Sequence, residues 1–592
     1  MKKESNSDSK ELFRLPFVRI APFMAAGMIL AYRLEYLGSG GAYAVIIAFA
    51  AAFAVCLFIK RSLLALCFAA FALGALNTGL YTALYCTPVL EYSQKHIQGE
   101  FTVTEIRSIS GDHQEITAKM TLGTRTAKAA LSCETRLAAG QTARADIVFG
   151  EFDEDNKFYA MANGILLSGK AENIEIISDE PEAEGFLKML RGGVAGVIDK
   201  TLFGEDRALA KAMFLGEDSG LSQSARERLR ICGAAHFTAV SGAHFAVFGA
   251  VMLEIIPKKR RRTRAVFALM FAPMAMVFFG TSVSALRAAV MFVINGCAVL
   301  FHRKSEPLNT LCATFVLLAL FSPGIILDIG FAMSVLGVFG VAVVGRRLSE
   351  RLCGLLPEKL RGLSPIITAV TVSSSAVICT APVSVAFFKG VSLTGAFTSI
   401  LLTPLMALGV LFLILTAATG AKVLALPLAI AVRLAGLIIR WLGNIRVLWL
   451  PMNFGGAWAV AALFAVLLTV MTFYNLKTMK TCIVCMTMIA VLSTAGSVYV
   501  SKTRSETVLL ENSRGSAEIV FSDGKAYVTI HGSGGGLAER ISGRLRENGA
   551  VRIEVLTASD ADFTGALAVK ELSEMMEIGY IETNELVKAV LR

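Results

Sequence analysis

The chain of 592 residues contains few charged residues and no nucleotide-binding loop. Charged residues make up 17% of the chain, whereas a soluble globular protein carries about a quarter. Its most glycine-rich run, Gly532–Gly536, lacks the lysine of a Walker motif and is interpreted as a turn. These absences argue against a large soluble enzyme. Any energy-driven transport would need a source of energy outside this chain.

Cysteine is present eleven times but forms no complete zinc set. Most of the cysteines lie in apolar runs, where they are interpreted as small hydrophobic residues. Cys482 and Cys485 form a CxxC without a second pair or a nearby histidine. Cys86 and Cys133 lie in or beside a polar insertion, and their spacing alone does not establish whether they form a disulfide.

Long hydrophobic runs dominate the composition, at 55% hydrophobic residues and a mean hydropathy of +0.62. A bilayer span needs about 20 apolar residues, and this length predicts about twelve or thirteen spans. The first apolar run, near 20–31, comes after a basic N-terminal segment, as in a signal peptide. Because further apolar runs come directly after it, a retained membrane span is favoured over a signal peptide. The chain is therefore predicted to be a polytopic α-helical membrane protein. Other such runs are 42–59, 62–84, 265–279, 366–388 and 458–474.

The net charge of +11 is concentrated in short loops beside the apolar runs. Such loops remain in the cytoplasm under the positive-inside rule, so they indicate topology rather than nucleic-acid binding. This assignment places the N-terminus inside and both residues 88–235 and the C-terminal tail outside. The basic loops lie at 60–61, 258–264, 303–304, 346–361 and 477–480.

A polar insertion follows the N-terminal spans (1–87). Residues 88–180 contain alternating, β-branched segments and are predicted to form an OB-like β-barrel. From His96 to Glu180, eight Lys/Arg face fourteen Asp/Glu, a balance of −6 that does not suit a phosphate-binding groove. We therefore expect its aromatic residues to form the barrel core: Phe149, Phe152, Phe158 and Tyr159.

Residues 181–235 show helical periodicity and are predicted to be an amphipathic lead-in along the membrane surface. Polar residues then stand at the entry of a span: His236, Ser241, Gly242 and His244. Polar groups at membrane depth usually face an aqueous path, and a Ser-Gly pair loosens a helix. A helix end at the interface would explain them equally well, and spacing alone leaves both interpretations open.

The sequence His236-Phe-Thr-Ala-Val-Ser-Gly-Ala-His244 resembles the His-Leu-Leu-Ala-Ile-Ser-Gly-x-His signature of the ComEC family of bacterial competence proteins. The Gly280–Met291 segment is similar to the family's Ser-x-x-Arg-Ala-x-x-Met helix, and Ser322–Ser334 is similar to its Pro-x-x-x-x-Asp-x-Gly-Phe-x-Leu-Ser turn. The resemblance implies a channel domain at 236–500 in the bacterial cytoplasmic membrane. It also implies a single-stranded DNA path near residues in all three motifs: His236, Ser241, Gly242, His244, Ser284, Arg287, Asp328, Gly330 and Phe331.

Arg287 stands inside an apolar helix, where an unpaired cation costs at least about 2.5 kcal/mol. Asp328 is one candidate partner, and a polyanion in the pore is another. A buried Arg287–Asp328 pair that only stabilises the bundle remains a third interpretation.

Residues 501–592 resemble the beginning of the metallo-β-lactamase-like module that often ends this family. In the register of its Thr-His-x-His-x-Asp-His motif, Ala558, Asp560 and Phe563 replace the three histidines, and only Asp562 is kept. Two-metal hydrolysis needs those ligands, so we expect no metal, no cofactor and no catalysis. The tail is predicted to be a truncated remnant.

The leading hypothesis is a non-catalytic channel that imports single-stranded DNA through the lipid bilayer. The family implies an extracytoplasmic DNA receptor and a cytoplasmic ATPase as partners, and a homodimer is a further option. A transporter of another solute, a membrane nuclease and a non-functional relic are the alternatives. A wide basic pore would favour DNA over a small solute.

Overall fold

The structure is a computed structural model and describes most of the chain. The described residues are 15–35, 62–110, 113–123, 125–138, 140–150, 163–178, 186–217, 220–238, 245, 249, 256–257, 259–279, 283–303, 305–388, 390–445, 449–451, 463, 506–512, 515–522, 525–532, 537–547 and 552–591.

Within this part of the chain, helices dominate the hydrophobic regions and strands the polar ones. The helices are α1 (Pro16–Glu35), α2 (Ser62–Tyr81), α3 (Phe186–Thr201), α4 (Gly204–Leu215), α5 (Gln223–Ile231), α6 (Arg261–Phe279), α7 (Val283–Leu300), α8 (Pro307–Phe321), α9 (Ile329–Phe339), α10 (Arg346–Gly354), α11 (Ser364–Phe388), α12 (Gly395–Thr419), α13 (Ala425–Gly443), α14 (Leu537–Glu547), α15 (Phe563–Met575) and α16 (Glu585–Leu591). The strands are β1 (His96–Ser110), β2 (His113–Leu122), β3 (Arg125–Cys133), β4 (Thr142–Gly150), β5 (Ile165–Ser178), β6 (Gly390–Ser392), β7 (Trp449–Pro451), β8 (Glu506–Asn512), β9 (Gly515–Ser522), β10 (Lys525–Gly532), β11 (Arg552–Ala561) and β12 (Glu577–Thr583).

Five helical segments among the described residues are long and apolar enough to cross a membrane: Ala65–Leu90, Ile329–Gly354, Glu358–Phe388, Gly395–Thr419 and Lys422–Gly443. Three shorter apolar helices accompany them at Pro16–Tyr32, Ser284–Leu300 and Pro307–Phe321. The first and second long segments continue through π-helical turns at Thr82–Cys86 and Gly340–Gly345. The prediction of a polytopic α-helical membrane protein is confirmed. The spans expected near 42–59 and 458–474 lie outside the described residues, apart from Leu463.

The chain divides into two compact units, residues 1–195 with 240–338 and residues 196–239 with 339–592. In the first unit, α1 and α2 approach closely because each presents a glycine to the other. A Cβ on Gly27 would lie 2.1 Å from the Phe71 carbonyl oxygen, and a Cβ on Gly74 would lie 2.3 Å from that of Met24. Small residues at such contacts are typical of helices that pack within a bilayer. The Asn77 amide ties α2 to α8 through the Ala319 carbonyl oxygen at 2.8 Å.

The polar insertion forms a closed five-stranded barrel in the order β1-β2-β3-β5-β4. Strands β3 and β5 pair in parallel, and the other pairs are antiparallel. This confirms the predicted OB-like barrel. Phe149 is buried in its core, as expected, whereas Phe152, Phe158 and Tyr159 lie outside the described residues.

Both cysteines near the insertion are buried in the core of the barrel. Cys133 retains its thiol, which donates to the Gln114 carbonyl oxygen at 3.5 Å. The disulfide with Cys86 is therefore not formed in the structure.

In the second unit, α4 and α5 pack against the hairpin of α12 and α13. The Phe214 ring lies against Gly409, where an added Cβ would approach it to 2.4 Å. Leu209 contacts Gly436, and the Arg228 backbone contacts Gly443. Gly409 and Gly436 are interior positions of two spans, so α4 departs from the surface position expected from the sequence.

The C-terminal residues form a sheet in the order β12-β11-β10-β9-β8. Strands β8 to β10 are antiparallel, whereas β11 pairs in parallel with both β10 and β12. The module folds around its own apolar core, with buried residues that include Ile519, Val528, Ile541, Leu556 and Val569. Its likeness to a metallo-β-lactamase-like remnant stays a prediction.

Candidate functional site

Arg287 lies on α7, one turn after the helix begins, and only 3% of the residue is exposed. Its Nη1 donates to the Gly330 carbonyl oxygen at 3.3 Å. Its guanidinium carbon lies 5.8 Å from the centre of the Phe331 ring. A carbonyl dipole and an aromatic face thus stabilise the buried cation.

Asp328 lies directly before α9 and is also buried. A 3₁₀ turn, Pro323–Leu327, reverses the chain after α8 and delivers this residue to the start of the next helix. The Asp328 carboxylate accepts a hydrogen bond from the Phe331 backbone N–H, and its carbonyl oxygen accepts one from Ala332 at 3.0 Å. Asp328 therefore acts as the N-cap of α9.

The sequence offered Asp328 as the counter-ion of Arg287. Among the described residues, no ion pair within 4.0 Å joins these two side chains. They meet instead through the segment between Asp328 and Phe331, since Arg287 contacts Gly330 and Phe331 while Asp328 caps the same turn. The arrangement leaves the acid and the base close but not paired directly.

Gly330 lies beside both Asp328 and Ser284 of α7. A Cβ there would lie 3.2 Å from Asp328 Oδ1 and 3.5 Å from Ser284 Oγ. Five of the nine predicted channel residues therefore assemble in the first unit: Ser284, Arg287, Asp328, Gly330 and Phe331. They include a cation and a hydroxyl, which can bind an anion at membrane depth, and a carboxylate, which would repel one.

The remaining predicted residues belong to the His236–His244 motif. His236 is exposed in a 3₁₀ turn, Ala235–Phe237, in the second unit, with its ring centre 4.3 Å from that of Phe237. Ser241, Gly242 and His244 lie outside the described residues.

The residues predicted to form a degenerate metal motif in the C-terminal module make structural contacts. Ala558 is buried in the core, and Phe563 is 61% exposed at the start of α15. Asp562 caps α15, because its Oδ1 accepts from Gly565 N at 2.8 Å and from Thr564 Oγ1 at 2.7 Å. Asp560 lies 3.6 Å from His531 Nδ1. In the part of the chain that the structure describes, no three His, Cys, Asp or Glu side chains converge as a metal site.

An ion-pair network in the second unit was not predicted from the sequence. Glu205 and Asp206, in the first turn of α4, contact Arg228 of α5 and Arg433 and Arg440 of α13. The sequence contained one signal that could have revealed this network. Arg433 is a charged residue at the middle of an apolar run long enough to span a bilayer.

Comparison with known proteins agrees with the resemblance. Residues 213–477 match the family model described as Competence protein. The chain is similar to ComE operon protein 3 of Bacillus subtilis (strain 168), at 22% identity over 147 residues. That match spans 24% of this chain and 19% of the relative's length. No solved structure matches the chain. Residues 213–477 of this polytopic membrane protein are therefore similar to the Competence protein family.

Proposed function

We propose that the protein is a channel that imports one strand of DNA across the bacterial cytoplasmic membrane, without chemistry of its own. Its family supports a role in competence and DNA uptake. The observation that carries the channel proposal is the buried guanidinium of Arg287, held where two motif-bearing helices, α7 and α9, meet. A cation at membrane depth is costly and usually marks a substrate pathway, and phosphate is the ligand that would use it.

The proposed orientation places this site near the outer end of the bundle. If the basic residues before and at the start of α6 are cytoplasmic, α6 ends outside and α7 begins outside. Arg287 is about 6 Å along α7 from Val283, and Asp328 lies at the first turn of α9. An incoming strand would therefore meet this site early in its passage.

Other components would supply energy and substrate. The chain carries no Walker motif, so a cytoplasmic ATPase would drive import, and an extracytoplasmic receptor would deliver the DNA. The C-terminal module lacks the histidines of its motif at positions 558, 560 and 563, which supports a non-catalytic role. The chain could act alone or as a homodimer, and both forms are compatible with this function.

The test is uptake of labelled DNA and transformation frequency in a deletion strain complemented with wild type, Arg287→Ala or Arg287→Lys. Arg346→Ala is the matched control, because that arginine is exposed and pairs with Glu350 on the same helix. Loss of import in the deletion strain, rescued by wild type and Arg346→Ala but not by Arg287→Ala at equal membrane abundance, supports the channel. Normal import in the deletion strain refutes it.

A further inference from the structure

The unpredicted ion-pair network includes Arg433, which lies at mid-depth in α13. The residue is about 12 Å along the helix from Ala425 and about 15 Å from Gly443. Its side chain is 71% exposed, even though it belongs to an apolar segment long enough to cross the bilayer. A guanidinium in contact with lipid at this depth is costly, so this position favours an aqueous path.

The two acidic residues of α4 contact this arginine and Arg440, which lies two turns farther along the same face of α13. Asp206 Oδ2 lies 3.7 Å from Arg433 Nε, and Asp206 Oδ1 lies 3.7 Å from Arg440 Nη1. Glu205 bridges Arg440, at 3.5 Å, and Arg228 of α5. Three arginines thus share two carboxylates, which leaves one net positive charge.

The depth of α4 in the unit supports the same placement. Gly409, which contacts Phe214, lies about 15 Å from the end of α12 at Thr419. Gly436, which contacts Leu209, lies about 16 Å from the start of α13 at Ala425. Because α12 and α13 form a hairpin, the two glycines stand at the same level. Helix α4 therefore crosses the hairpin near the middle of the membrane and carries its two acids there.

We propose that Arg433 and Arg440 bind the phosphates of the passing DNA strand, and that Asp206 and Glu205 are the partners to which these arginines return between phosphates. This inference rests on the proposed channel function and adds a second phosphate site, in the second unit. The guanidinium suits the role because its planar fork of donors matches phosphate oxygens.

The counter-ions explain how the strand could be bound without being trapped. A conduction site must attract its substrate yet release it, and weak binding at several sites achieves both. Each arginine that leaves a phosphate finds a carboxylate within about 4 Å, so its charge is never left without a partner at membrane depth. Removing Asp206 should strengthen retention of DNA, whereas removing Arg433 should weaken it.

Thiol labelling tests the site independently of import. The full-length Arg433→Cys and Leu434→Cys variants in membrane vesicles are treated with a membrane-impermeant cationic methanethiosulfonate, with or without a single-stranded oligothymidylate. Leu434 is the matched control, as an exposed apolar neighbour on the same helix. We expect the Arg433→Cys thiol to react at least about tenfold faster than the control, and the oligonucleotide to slow it severalfold.

Import assays complete the test, because a cysteine variant could alter the helix pair. Arg433→Gln should lower DNA import at least about tenfold at equal abundance, and Arg433→Lys should retain part of it, because lysine keeps the charge but not the fork. Equal labelling of the two thiols, or fast labelling that DNA does not slow, overturns the inference while the requirement for Arg287 stands. Normal import in the deletion strain would instead remove the channel function itself.

Discussion

The backbone N–H of Phe331 donates to the carboxylate of Asp328, and the ring of the same phenylalanine lies 5.8 Å from the guanidinium of Arg287. One residue therefore connects the acid and the base without a direct ion pair between them. The acid fixes where α9 begins, and the start of that helix supplies the carbonyl and the ring that hold the base. Arg287 depends on Asp328 through helix geometry.

This dependence predicts different results for two substitutions at Asp328. Asparagine retains an oxygen that can accept from Phe331, so Asp328→Asn should preserve the helix start and most DNA import. Asp328→Ala should cost about 1 kcal/mol of stability and lower import, because the buried N–H loses its acceptor. Thermal unfolding of the detergent-purified protein and uptake of labelled DNA measure both effects. Equal loss in the two variants would show that the negative charge itself matters.

The close crossing of α1 and α2 predicts a strict size limit at Gly74. A side chain there would collide with the backbone of Met24, so Gly74→Leu should sharply reduce the amount of folded protein in membranes. Gly79 lies on the same helix with no neighbour within 4 Å of an added Cβ, and Gly79→Leu is the matched control. Abundance and monodispersity in detergent distinguish the variants. Similar yields for both would contradict the crossing.

Asp562 is predicted to act as a helix cap rather than as a metal ligand. Asp562→Ala should lower the stability of the C-terminal module by about 1 kcal/mol and speed hydrogen exchange in α15, without changing the zinc content of the purified protein. The control is Asp560→Ala, at an exposed carboxylate whose pair with His531 contributes little. Stoichiometric zinc that disappears with Asp562→Ala would contradict this assignment.

The barrel predicts a protected thiol at Cys133. Burial raises the pKa of this thiol, so less of the reactive thiolate is present near pH 8 than for an ordinary cysteine. Peptide mass spectrometry should find Cys133 unmodified after maleimide treatment of the native protein and fully modified after denaturation. A peptide that joins Cys86 and Cys133 in unreduced samples would show that a disulfide forms in the cell.

Sequence patterns predicted those parts of the fold that depend on local periodicity. Apolar length indicated the spans, and alternation in 88–180 indicated the barrel, because each follows from burying one side of a regular element. The closing pair of β3 with β5 is distant in sequence and has no local signature.

The sites were harder to predict than the fold. The motifs indicated Arg287 and Asp328 as site residues. In the structure, Arg287 binds a backbone carbonyl and Asp328 caps a helix. Residue types in a sequence carry no signal for such backbone partners. Residue type alone does not distinguish Arg433 from the other arginines, and those in the basic loops beside apolar runs indicate topology.

The short pairing of β6 with β7 constrains how the chain threads the membrane. Backbone hydrogen bonds between Gly390–Ser392 and Trp449–Pro451 require both strands to lie in the same compartment. The number of crossings between them must then be even, whichever side faces the cytoplasm, and α12 and α13 supply two. Reporters inserted near 393 and near 446 must therefore give the same signal, and one inserted at 420–424 the opposite signal. A parity rule of this kind determines the sides of the three loops that flank α12 and α13 once any one of them has been located.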